Sequence, residues 1–263
     1  RGVPEGDACG VWTQTAVRAE NSHGINSWFF KHSQGKAGGA VPSANRITLL
    51  RDADGDGVAG TRSIFLSGLM SPFGMALVGN DLYVADFSNN RVERFNKSTG
   101  AYISQFGSPG SGAGQFSQPS GLVYNPLNGL LYVSEVGNDR EQMFSTAGIY
   151  QGQFVTLGSG NGQINNPFVL AVDGRGNIYV ADTANNRVAK FDSTGLWIRH
   201  IASGIVSPLG IAVDQANVVW ITGNTGEIYA YEANGSYLAY YYGTYTPVTS
   251  FFEGYIRDVR GIA

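Results

Sequence analysis

The chain has a single cysteine, Cys9, in 263 residues, so no internal disulfide can form. A lone thiol without a companion Cys or His motif reads as a small packing residue rather than a reactive one. Histidine is nearly as scarce. His23, His32 and His200 fall at three different places in the pattern described below, so the sequence does not bring them to one metal. Charged residues make up 14% and the net charge is −3, which leaves no basic excess to grip nucleic acid or an anionic membrane. No apolar run reaches the ~18 residues that a membrane-spanning helix needs. There is no G-x-S-x-G elbow, no Walker loop and no Cys–His pair.

Glycine and tyrosine are plentiful, at 37 and 14. With many Asn and Ser, that mixture suits short strands and tight turns. Four segments line up with one another. They begin "SPFGMALVGNDLYVADFSNNRVERF", "QPSGLVYNPLNGLLYVSEVGNDREQMF", "NPFVLAVDGRGNIYVADTANNRVAKF" and "SPLGIAVDQANVVWITGNTGEIYAY". Their prolines stand at 72, 119, 167 and 208, spaced 47, 48 and 41. A degenerate copy upstream, "INSWFFKHSQGKAGGAVPSANRITLL", puts Trp28 in the proline slot. Each copy holds four short strands separated by turn residues, and four-stranded units at ~40–50 residues predict a β-propeller.

The stretches "GNIYVADTANNRVAKFDSTG" and "LYVADFSNNRVERFNKSTG", with the Gly-rich "GSPGSGAGQFSQPSGL", resemble the NHL-repeat propellers over about residues 71–245. The resemblance implies the fold; members of that family include protein- and RNA-binding modules, sensor domains and a few lyases. Residues 44–86, "ANRITLLRDADGDGVAGTRSIFLSGLMSPFGMALVGNDLYVAD", are similar to one blade of the sorbosone and pyranose dehydrogenases that use pyrroloquinoline quinone. That family needs a His base and several Arg or Lys around the quinone. The matched blade carries no such set, so the quinone is not expected here.

The expected fold is therefore all-β: one six-bladed propeller over residues 1–263, with blades starting near 28, 72, 119, 167, 208 and 259. The last blade is shared between the termini, residues 259–263 giving an inner strand and 10–17 an outer one. Two middle strands are then unaccounted for: the blade is abbreviated, the true chain is longer, or a neighbouring chain fills the gap by strand addition. The chain opens on Arg and shows no signal-peptide pattern, which suits a mature product or a fragment of a longer protein. Two sequons begin at Asn96 and Asn234.

"DADGDG" at 52–57 places Asp52, Asp54 and Asp56 at alternate positions before Gly57, the start of a calcium loop. It departs later, with Ser63 where an EF-hand has a bidentate Glu. Calcium is the one cofactor the pattern suggests, as a clip and not a catalytic centre. The mouth of the propeller should be lined by the starts of the inner strands: Phe29, Phe73, Ser120, Phe168, Leu209 and Arg260. Asp86, Glu135 and Asp182 follow the second strands, each with an arginine five residues on, at 91, 140 and 187. A residue repeated in every blade holds the repeat together, so these pairs read as structural and no catalytic residue is expected. Tyr240, Tyr241, Tyr242 and Tyr245 lie in the aromatic stretch 237–255 and are interface candidates, since three consecutive tyrosines cannot all face inward. The composition favours a secreted, extracellular or periplasmic binding and assembly module. Its partner would be a protein or a second copy, with carbohydrate as another ligand class. The alternative is a propeller enzyme: a diverged quinoprotein sugar dehydrogenase, a lyase or a hydrolase.

Overall fold

Strands of four to seven residues pair into antiparallel sheets of four, and those sheets pack face to face around an axis. The computed structural model describes residues 45–52, 61–224 and 227–242, together with strands at 11–12, 16–20, 26–31 and 34–35; side chains are described for 45–48, 63–224 and 227–240. Among these residues stand five four-stranded sheets, the blades of a β-propeller. Blade 1 comprises Ala16–Glu20, Asn26–Lys31, Arg46–Asp52 and Thr61–Ser67. Blades 2 to 5 have inner strands Pro72–Val78, Pro119–Asn125, Pro167–Val172 and Gly210–Val213. Their outer strands are Tyr102–Phe106, Tyr150–Phe154, Trp197–Ser203 and Tyr237–Tyr242. The inner strands lie side by side around the axis.

Blade 1 departs from the sequence alignment. Asn26–Lys31 is its second strand, not its inner one, and pairs on both sides, with Ala16–Glu20 and with Arg46–Asp52. Residues 16 and 17, expected at the end of an outer strand of a shared last blade, belong to the inner strand of blade 1, beside Pro72–Val78. The slot was misread because a proline can stand only where its missing N–H is not needed, at a strand start on an edge. Trp28 is in a strand flanked on both sides, where no proline would fit. Val11–Trp12 pairs with Gln34–Gly35. Residues 259–263, the other half of the expected shared blade, lie outside the described residues.

Burial follows the sandwiching. One apolar cluster lies between each pair of neighbouring blades: Ile47, Leu69 and Leu82 between blades 1 and 2; Tyr83, Phe116 and Phe144 between 2 and 3. Tyr132, Ile178 and Phe191 lie between 3 and 4, and Tyr179, Val219 and Ile221 between 4 and 5. No single sheet buries both faces without its neighbours, so stability is shared across blades.

A polar latch repeats at every one of these junctions. Asn45, Asn90, Asp139 and Asn186 precede the third strands and adopt left-handed φ of 47°, 53°, 48° and 54°. Each side-chain oxygen accepts the backbone N–H of the residue before the next blade's proline: Ser71 at 3.0 Å, Gln118 at 2.7 Å, Asn166 at 2.7 Å and Ser207 at 2.8 Å. Asn and Asp tolerate that φ, and their short side chains project where the partner N–H arrives. Among the described residues no helix is long and apolar enough to cross a membrane.

Candidate functional site: the propeller mouth

Antiparallel pairing puts the start of each inner strand, the end of the second and the start of the third on one edge. The registers show it directly: Pro72 opposite Asp86 opposite Arg91, Pro119 opposite Glu135 opposite Arg140, and Pro167 opposite Asp182 opposite Arg187. These edges together form the mouth.

The carboxylates here are fully buried and committed. Asp86 Oδ1 accepts the Met70 N–H at 2.6 Å, Glu135 Oε2 that of Ser117 at 2.9 Å, and Asp182 Oδ1 that of Asn165 at 2.7 Å. Each also takes an arginine Nε, at 3.1, 2.6 and 2.6 Å. The remaining guanidinium nitrogens of Arg140 donate to the carbonyls of Ser111, Gly112 and Gln115. Those of Arg187 reach Ser159, Gly160 and Gln163. Both Gly-rich linkers are thereby pinned to the mouth edge of the blade that follows them. Gly110 and Gly158 suit these linkers because their φ of 149° and 154° is a backbone conformation that other residues rarely adopt. Blade 5 lacks the pair, with Thr222 ending its second strand and Glu227 opening its third.

Inside this ring of pairs the floor is aromatic. The Phe73 ring stands edge-on to Phe168 with centroids 5.0 Å apart, and 5.0 Å from Phe87. Phe73 and Phe168 come from blades 2 and 4, so the contact crosses the axis past blade 3. Ser120 Oγ donates to the Pro167 carbonyl at 3.2 Å, and Thr183 Oγ1 to that of Pro208 at 2.9 Å. Leu209 is half-buried and its N–H donates to the Thr222 carbonyl. Phe87 was not singled out from the sequence. Its signal was an aromatic residue directly after the carboxylate, where blades 3 and 4 have Val136 and Thr183.

Phe29 sits in the middle of the second strand of blade 1, opposite Val17 and Leu49, and not at an inner-strand start. Asp52 ends the third strand of blade 1, and Asp54 and Asp56 lie outside the described residues, as do Arg260 and Tyr245. Tyr240 is exposed on the outer strand of blade 5, its ring 5.0 Å from Tyr229; Tyr237 is exposed beside it. The backbones of Tyr241 and Tyr242 pair with Ile228 and Glu227. Of the histidines only His200 has a described side chain. Burial, then the nearby Arg187, holds it below the usual histidine range. Among the described residues no three His, Cys, Asp or Glu side chains gather as a metal would require.

Residues 169–191, running from the inner to the third strand of blade 4, match the NHL repeat. No curated protein sequence matches the chain. Among solved structures it is similar to a streptogramin B lyase, with TM-score 0.63 and 15% identity over 88% of this chain and 69% of that one. It is also similar to a catalytically inactive virginiamycin B lyase from Staphylococcus aureus with quinupristin, at TM-score 0.59 and 14% identity over 89% and 74%. A chain of a nidogen/laminin complex gives TM-score 0.60 and 16% identity over 83% and 76%. At these identities the likeness shows the fold. The chain is a β-propeller carrying an NHL repeat, and that fold serves both enzymes and protein complexes.

Proposed function

We propose that this propeller is a non-catalytic binding and assembly module, secreted, extracellular or periplasmic, whose partner is a protein. One observation carries the reading. Asp86, Glu135 and Asp182 are spent on the scaffold, each holding a linker N–H and an arginine, while the floor they surround is made of the Phe73, Phe87 and Phe168 rings. Around that floor the mouth offers apolar contact area, and the three carboxylates on its edge are not free to act as acid or base. The exposed Tyr237 and Tyr240 rings on the outer strand of blade 5 add contact area of the sort that protein and carbohydrate surfaces use. A nidogen/laminin complex contains a propeller of this fold, which supports the protein-partner reading.

The second reading is an enzyme, favoured by the two lyases of similar fold. One set of assays separates the two. The purified chain should turn over neither a streptogramin B nor an aldose supplied with pyrroloquinoline quinone and a dye. Sedimentation over a concentration series reports self-association. Quinone-dependent dye reduction, or opening of the antibiotic ring, would overturn the module reading.

A further inference from the structure

On the face opposite the mouth, the blades are tied by a tyrosine that the last described junction does without. Tyr83 and Tyr132 are buried in the second strands of blades 2 and 3. Their hydroxyls donate to turn carbonyls of the next blade, Thr146 at 2.7 Å and Ser193 at 2.5 Å. Tyr179 is the equivalent in blade 4, and the equivalent carbonyl of blade 5 is Ala233, fixed by matching turn bonds from Gly148, Gly195 and Gly235. Here the tie is different. Tyr179 donates instead to Asp173 Oδ2 at 3.0 Å, and Ala233 accepts from Lys190 Nζ at 3.2 Å. Lys190 lies opposite Tyr179 in register, its ammonium 4.9 Å from the ring centre. Met143 holds the corresponding position opposite Tyr132 in blade 3.

A cleft of about 550 Å³ lies at this junction of blades 4 and 5. That volume is within the range of small-molecule sites. Three cations line it, Arg175, Lys190 and Arg199, against two carboxylates, Asp173 and Glu232. Both acids are occupied. Asp173 accepts the backbone N–H groups of Arg175 and Asn177, the Asn177 amide and the Tyr179 hydroxyl. Glu232 accepts the Asn234 amide at 2.7 Å. The cations keep donors in reserve: Arg199 spends one nitrogen on the Asn234 carbonyl, and the Arg175 side chain has no bond among the described residues. Burial, and after it Arg175 and Arg199, hold Lys190 below the usual lysine range against the pull of Asp173. Three cations thus face two carboxylates in the cleft: the unspent guanidinium donors of Arg175 and Arg199 stand at its exposed rim, Lys190 lies at its buried end 3.6 Å from Asp173, and the Asn217 amide stands on its wall.

We propose that this cleft is a binding site for a small oxyanion-bearing ligand of the class of sugar acids and sugar phosphates. The two arginines meet the oxyanion with their unspent N–H groups, Lys190 adds a point charge beneath it that Asp173 offsets only in part, and the Asn217 amide meets a hydroxyl. The site is independent of the mouth and of any partner there.

Calorimetric titration of the chain with glucuronate, glucose 6-phosphate, glucose and inorganic phosphate tests it. One or both charged sugars should bind, and which one does so assigns carboxylate or phosphate as the anchor. Glucose should not bind, and inorganic phosphate should bind more weakly than the sugar it anchors. Lys190→Met, which imitates blade 3, should weaken binding by about tenfold or more. The double variant R175A/R199A should do the same, and because both side chains are exposed it leaves folding intact. No binding of either charged sugar, or binding unchanged in both variants, overturns the proposal.

Discussion

Arg187 Nε lies 2.6 Å from Asp182 Oδ2, the Asp182 side chain fully buried and that of Arg187 only 10% exposed. Such a pair is costly to break because removing one partner strands the other charge away from water. Arg187→Ala is expected to lower stability by ~3–5 kcal/mol. Arg187→Lys keeps the charge, yet one ammonium cannot reach Asp182 and the three linker carbonyls together, so it should recover less than half of that loss. Urea denaturation midpoints measure both; a lysine variant as stable as the parent would refute the clamp.

The inter-blade latch separates into a bond and a backbone conformation. Asn186→Gly keeps the left-handed φ of 54° and loses only the bond to Ser207, for a cost of ~0.5–1.5 kcal/mol. Asn186→Ala loses the bond and also strains φ, adding ~1–2 kcal/mol. Thermal denaturation should therefore rank parent above glycine above alanine. Equal melting of the two variants would mean that φ contributes nothing.

Glu141 should make the fold sensitive to alkali. It is fully buried between blades 3 and 4, where the corresponding residues are Val92 and Val188. Ser134 Oγ donates to its Oε1, and Oε2 has no partner among the described residues. Burial pushes its carboxyl well above the usual glutamate range, partly offset by the Ser134 bond. The folded state therefore holds a proton that the unfolded chain releases above about pH 4.3. The stability is complete below that pH and falls as pH rises toward the folded value, by ~1.4 kcal/mol for each unit between the two. Glu141→Gln should match the parent near pH 4 and exceed it increasingly toward pH 8, as read from denaturation midpoints across that span.

If Asp52, Asp54 and Asp56 form a calcium clip, the metal should raise the melting temperature and create no activity. Treatment with chelator followed by added calcium should shift melting upward, and the shift should vanish in Asp54→Asn/Asp56→Asn. A melting temperature that ignores both chelator and calcium would dismiss the clip.

The propeller was legible because "YVAD…NNRV" carries its own instructions. The apolar pair fills the inter-blade layer, the carboxylate and arginine fold back over the linker, and Asn takes the left-handed turn. Blade 1 was misread because its inner strand, Ala16–Glu20, has neither proline nor the repeated apolar run. The starts of the inner strands at Phe73 and Phe168 could be placed from the prolines before them. Their meeting could not, because it depends on the width of the axis. The latch residues were visible as the position before each arginine, but the N–H they accept belongs to the next blade. The cationic cleft left a fainter trace: Lys190 stands where its neighbours have Met143 and Arg94, and only the placement of Ala233 shows what that exchange does.

The polar ties between blades reach one blade ahead: 21 to 28 residues for the side chains at 45, 90, 139 and 186, and 61 to 63 for Tyr132 and Tyr83. A chain leaving the ribosome can therefore fasten each blade to its successor in order, without waiting for the far terminus. The Phe73–Phe168 contact follows another schedule, since it joins blade 2 to blade 4. It can form only once the third of those blades has swung into place. A nascent chain halted before residue 167 would hold finished, latched blades and only the Phe73–Phe87 part of its floor, so the binding surface waits for a blade that the latches between the earlier ones do not need.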